Sequence, residues 1–337
     1  MTNIKFKKAI LHIMDNNVQA PVLSVSELDI DNVVGDFLEK HIAKVFNDGD
    51  LKNARFNSNE NDVFSKCSEL SQNVDLFSKI SSELANGLFL IMKQNPDIPA
   101  GDVIFVIFEI EESTYFSLMK LNYRNSFIHY VSNSDEGNIN HLIMQKTTLP
   151  SEAQKIDECV IINLSNLELK ILEKKYEICE TKEFYLSKYF LKCQSDLSYL
   201  QKMKIIDKAV SKTSKKHFDE DFEKVTKLKS YLAKSIEENN EIKVDKVAAL
   251  VFGENKEIQK QYIEEVQKAG LVENTVCVPE TTNPSKKFRT QKLKTDSGIE
   301  INFPSHFYNN KDVIEFINNP DGTVSIIIKN VNKVVNR

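Results

Sequence analysis

The sequence predicts an α+β fold: a mainly antiparallel sheet with packed helices, followed by a small helical unit and a C-terminal β segment. Three observations carry that expectation. Residues 103–110 (VIFVIFEI) are apolar at nearly every position, the pattern of a strand covered on both faces and central in its sheet. Further β-rich runs follow across short polar breaks, at 115–123, 127–131 and 139–144, which reads as an antiparallel meander of up to four strands. Before and after this block the apolar period changes from strand-like to helical.

Taken in order, residues 6–14 form a strand, and 21–24 are its partner after the Asp15-Asn16-Asn17 turn. Ile30, Val33, Val34, Phe37, Leu38, Ile42, Val45 and Phe46 then fall on one helical face, with Asp29 or Asp31 as cap. An Asn-rich connector (53–62) leads to a second helix through Leu76, Phe77, Ile80, Leu84, Leu88 and Met92, stopped by Pro96. Both helices should pack on the sheet. After the meander, 159–164 (CVIINL) is a buried strand, and 167–176 fits either strand or helix. From Glu183 to Ser211 the pattern is helical, which places the end of a first domain at 1–218.

Residues 219–275 read as a small helical domain: one helix to about 238, one at 244–252, and one at 256–269 closed by Gly270. A three-helix unit of this size suits a helix-turn-helix reader. Glu257, Glu264 and Glu265 on its last helix would repel phosphates, so a packing unit is the favoured reading. The third region, 276–337, is a basic linker and a C-terminal β hairpin, in which 313–317 and 323–329 flank a turn closed by Asp321-Gly322.

The 337 residues carry a formal net charge of −5, from 44 basic and 49 acidic side chains. The bulk field therefore announces no nucleic-acid binder, and any DNA contact must come from local patches. Five scattered cysteines without a CxxC pair suggest reduced thiols in a cytoplasmic protein. No signal peptide and no apolar run of spanning length is visible, so no membrane partner is expected.

Chemistry is thinly marked. There is no Walker loop, GxGxxG, GxSxG or HExxH, so no cofactor and no metal site is expected. His129 and His141 could approach each other in a sheet, as structural residues. Asp157 followed by Glu168 and Lys170 has the residue types of a Mg²⁺-dependent nuclease of the D…ExK kind, although chance and solvation account for so loose a spacing. The stronger signal is local positive charge. Between Lys202 and His217 there are six lysines against one acid, Asp207. On a helix, Lys204, Lys208, Lys212 and Lys215 form one stripe, with Lys216 beside it, and such a stripe matches a line of phosphates. A second cluster, Lys286, Lys287, Arg289, Lys292 and Lys294 with Phe288, could settle onto DNA as an arm.

The meander GDVIFVIFEIEESTYFSLMKLNYRNSFIHYV, the following LPSEAQKIDECVIINLSN, the segment EFYLSKYFLKCQSDLS, and the terminal TDSGIEINFP with DVIEFINNPDGTVSIIIKNV resemble the bacterial 37 kDa nucleoid-associated protein family, the NdpA group. The resemblance implies a nucleoid-located, DNA-binding protein without a catalytic signature. Together with the lysine patches it leads to the expectation of a non-enzymatic homodimer that binds double-stranded DNA with little sequence preference. The alternatives are the nuclease above and a protein-interaction scaffold that makes no direct DNA contact.

Overall fold

A computed structural model describes residues 4–57, 61–218, 228, 231–232, 235, 240–278, 290–304, 307, 310–319, 321 and 323–333. The chain divides into two compact units, residues 1–198 and 199–337.

The first unit is built on a seven-stranded antiparallel sheet. Its strands are β1 (Ile4–Met14), β2 (Lys52–Phe56), β3 (Gly101–Ile110), β4 (Ser113–Asn122), β7 (Glu158–Asn163), β8 (Leu169–Leu172) and β11 (Cys193–Ser195), in the order β1-β3-β4-β7-β8-β2-β11. The unbroken apolar run in β3 has the expected cause. Val103, Phe105 and Ile107 join Phe116, Leu118 and Val160 on one face, under α2 (Asp62–Gln72) and α3 (Phe77–Gln94). Ile104, Val106 and Phe108 join Met119 and Ile161 on the other face, with Leu38, Ile42 and Val45 of α1 (Asn32–Phe46). Each large apolar side chain buried this way contributes roughly 1.5–3 kcal/mol.

The helix starts follow local capping. Asp31 accepts from Val34 N at 2.8 Å, and Asn61 accepts from Val63 N at 2.8 Å. These satisfy amides that a helix leaves without internal partners. The expected partner of β1 at 21–24 is reduced to a single bridge, Ile13 to Val22. The Asn-rich connector contains β2, and α2 begins at its end.

Two expectations are corrected. The meander stops at β4, whose free edge pairs with β7, from Tyr115↔Asn163 to Lys120↔Glu158. β5 (Arg124–Ser134) and β6 (Gly137–Thr148) pair only with each other, as a separate two-stranded ribbon. The stretch from Glu183 is not one helix either. β10 (Thr181–Phe184) pairs with β9 (Lys175–Ile178), a single wide turn covers Leu186–Phe190, β11 follows, and the helix starts only at Tyr199. Phe184 lies under the Lys52 ammonium, 3.6 Å from the ring centroid, and Tyr185, Leu186, Phe190 and Leu191 are buried in the core beneath α2 and α3. Their apolar spacing imitates a helix because a compact turn also buries neighbouring positions.

The second unit opens with α4 (Tyr199–Phe218), which the sequence pattern assigned to the end of the first domain. α4 packs against α6 (Lys256–Lys268), and α5 (Val244–Phe252) follows a short β12 (Glu241–Lys243) paired with β13 (Thr275–Cys277). Asn255 caps α6 by accepting from Ile258 N at 3.2 Å. Gly270, at φ 98°, ends it in the left-handed conformation that glycine adopts without strain. The helix at 219–238 lies largely outside the described residues. β14 (Thr290–Lys294) pairs with β15 (Glu300–Pro304), and β16 (Ile314–Asn318) with β17 (Val324–Ile328). Phe303 and Ile314 are buried together, with Leu293 and Phe316 against them.

Candidate nucleic-acid interface

α4 supplies the lysine face. Met203, Ile206, Ala209 and Val210 turn inward and are buried, and this fixes what the opposite side presents. Lys204, Lys208, Lys212, Lys215 and Lys216 are all exposed. At 3.6 residues per turn the first four lie within an arc of about 80°. They extend over eleven residues, or roughly 16 Å, about five base-pair steps of duplex.

The stripe is not uniform. Lys212 forms an ion pair with Glu265 of α6, and the ammonium beside it holds the Glu265 carboxyl below its usual range. Lys216 donates to Gln261 Oε1 at 3.4 Å, and His217 Nε2 meets the same oxygen at 2.7 Å. Lys202, outside the stripe, pairs with Glu273 at 2.8 Å. α6 thus draws one margin of the face toward its own acids and amides. Lys204 and Lys208 carry no hydrogen bond or ion pair among the described residues, so their ammonium groups face solvent.

The second basic cluster is only partly visible. Lys292, on β14, is exposed and opposite Asn302, and Lys294 pairs with Glu300 at 3.7 Å. Lys286, Lys287 and Arg289 lie outside the described residues.

The nuclease constellation is not brought together. β7 and β8 form an antiparallel pair with Cys159 opposite Leu172 and Ile162 opposite Leu169. Asp157 therefore sits at the open end, 3.9 Å from Lys174. Glu168 sits at the closed end, where its carbonyl accepts from Asn163 N. Six residues of strand separate the two ends, roughly 20 Å, whereas carboxylates sharing one Mg²⁺ must each approach it to about 2 Å. Lys170 donates to Asn53 Oδ1 at 3.0 Å. His129 is opposite Leu142 and His141 opposite Tyr130, so the two imidazoles occupy opposite faces of the ribbon. No group of three or more His, Cys, Asp or Glu side chains is placed to hold a metal among the described residues. All five cysteines are free.

Sequence reasoning missed a polar cluster in the first unit. Lys120 on β4 and Glu158 on β7 are cross-strand partners, both fully buried, with Nζ 2.9 Å from Oε2. Tyr176 donates to the same carboxylate oxygen at 3.3 Å, and Lys120 also donates to Asn122 Oδ1. Burial lowers the Lys120 pKa against the opposing pull of Glu158. Burial, and then the Glu158 charge, raise that of Tyr176. A second buried pair, Lys52 with Glu173 at 3.0 Å, is anchored by Ser187 N donating to the other carboxylate oxygen at 3.0 Å. The sequence signal was slight: Lys120 interrupts an apolar run, whereas Glu158 and Glu173 only border one and Lys52 stands in a polar stretch.

The family described as nucleoid-associated protein YejK matches residues 10–336, a span that takes in both units. No curated protein matches the chain. Among the described residues no helix is long and apolar enough to cross a membrane.

Proposed function

We propose, since the chain belongs to the NA37 family of nucleoid-associated proteins, that it binds double-stranded DNA with little sequence preference, as a homodimer, through the lysine face of α4. The observation that carries this reading is the exposed run Lys204, Lys208, Lys212, Lys215 and Lys216 on one helix of a protein whose net charge is negative. Ammonium groups on long flexible stems meet phosphates as point charges and read no base edges. Affinity then depends on counterion release, and two linked copies add avidity to a weak single site. Lys286, Lys287, Arg289 and Lys292 supply a second contact in the same mode.

The test is a titration against a random duplex at several salt concentrations, with and without Mg²⁺. Five lysine–phosphate contacts give a slope of log K against log salt of about −4 to −5. Lys204→Glu with Lys208→Glu should weaken binding uniformly across sequences and flatten that slope by about 2. Failure to bind at low salt would sink the DNA reading in favour of a protein scaffold, and Mg²⁺-dependent cleavage would replace it with an enzyme.

A further inference from the structure

The β5–β6 ribbon leaves the first unit as an arm about ten paired residues long, roughly 33 Å. Cross-strand partners share a face, so one face carries Ile128, Tyr130, Ile139 and Ile143, and the other Phe127, Val131, Leu142 and Met144. All eight are more than 40% exposed, and Leu142 reaches 74%. An isolated two-stranded ribbon is marginal in water, and an apolar surface of this extent marks an interaction site. Between Ser126 and Ser134, and again between Gly137 and Gln145, there is no Asp, Glu, Lys or Arg. Formal charge is confined to the two ends: Asp135 and Glu136 at the tip, Arg124 and Lys146 at the root.

We infer that a second copy of this chain clasps the arm, with the two ribbons antiparallel, so that each acidic tip lies at the basic root of the other. The inference rests on the homodimer reading above and names its interface. A two-fold contact must be self-complementary, and a ribbon with opposite charge at its two ends is so only in the antiparallel sense. The exposed area suits this occupant. Eight apolar side chains, each about half exposed, at roughly 100 Å² apiece give on the order of 800 Å² per copy, the share each partner contributes to a standard stable interface. Because both faces are apolar, the partner must cover both. DNA is the poorer occupant. A β-ribbon fits the major groove, but here the inserted tip would present two carboxylates to phosphates and no cation.

The experiment is sedimentation equilibrium on the full chain at micromolar concentration. The wild type should run at twice the chain mass of 38.6 kDa. The tip variant Asp135→Lys with Glu136→Lys, and the root variant Arg124→Glu with Lys146→Glu, should each dissociate about tenfold more readily or worse, since like charges then oppose one another at both ends. An equal mixture of the two should regain wild-type association, because tip and root are again opposite in sign. Tyr130→Ser with Leu142→Ser, one change on each face, should give a monomer with an unchanged circular dichroism spectrum. A monomeric wild type overturns the homodimer reading together with this inference. A dimer indifferent to these variants, or two weakened variants that do not rescue each other, overturns the arm contact and leaves the dimer standing.

Discussion

Removing the Glu158 carboxylate should damage the first unit far more than removing its whole partnership with Lys120. Both side chains have no exposed surface, and their charged atoms are 2.9 Å apart. Glu158→Leu leaves an ammonium buried with Asn122 as its remaining partner, and Lys120→Met leaves a carboxylate with Tyr176. Each single change should cost about 3–5 kcal/mol, a drop of roughly 1–2 M in the urea midpoint followed by far-ultraviolet circular dichroism. The double variant removes both charges and fills the space with apolar groups. It loses only the hydrogen bonds to Asn122 and Tyr176, about 1 kcal/mol each, and should lie within about 2 kcal/mol of the wild type. Additive single effects would instead place it about 6–10 kcal/mol down, and that result would refute the assignment of these residues as a coupled buried pair. The pH response gives a second check. In Glu158→Leu the raising influence of the carboxylate is gone, so burial holds the folded Lys120 pKa below the unfolded value of about 10.4. Between those two values the unfolded chain binds more protons than the folded one. The variant must therefore gain stability as pH rises toward the unfolded value.

His12 offers an acid-side test. It is buried between strand and helix, where Nδ1 accepts from Ser24 N at 3.1 Å and Nε2 lies 3.2 Å from Ser81 Oγ. Burial lowers its pKa from 6.5 to about 4. Within that window the unfolded chain takes up a proton that the folded one refuses. Stability should fall by about 3 kcal/mol as pH drops from 7 to 4, and His12→Leu should shed this part of the loss when urea midpoints are compared across pH. On the lysine face, Glu265→Gln releases Lys212 from its ion pair. Duplex binding should strengthen while the slope of five contacts stays the same, since Lys212 no longer has to leave Glu265 to reach its phosphate; unchanged affinity would show that Lys212 touches no phosphate.

The sheet, its two covered faces and the first two long helices were legible because periodicity reports burial directly. β3 is apolar at odd and even positions since α3 lies on one side of it and α1 on the other. The same rule failed at β5 and β6. Their apolar residues also fill both faces, yet among the described residues they stay exposed, and apolar periodicity by itself does not tell a strand covered on both faces from one left open. α2 was hidden by length, since eleven residues with only Val63, Cys67 and Leu70 buried leave a short signal beside an Asn-rich connector. The lysine stripe was visible as spacing, but its division was not. Glu265 is 53 residues from Lys212, and sequence proximity gives no hint of that pairing. The separation of Asp157 from Glu168 was equally hidden, because it follows from which strand pairs with which.

The arm and the lysine face belong to different units, the arm to residues 1–198 and α4 to residues 199–337, so the two proposed activities are chemically separable. The proposed arm contact would draw most of its strength from burial of apolar surface, with a salt-sensitive part only at its charged ends, whereas the proposed α4 contacts would weaken steeply with salt. Raising ionic strength should therefore release DNA from an intact dimer. This ordering also bears on why a protein of net charge −5 can afford so small a basic face. On the proposed reading a few screened lysine contacts would hold a duplex weakly, and the linkage of two copies would multiply them without another cation. The negative remainder of the surface meanwhile discourages non-specific attachment anywhere else on the molecule.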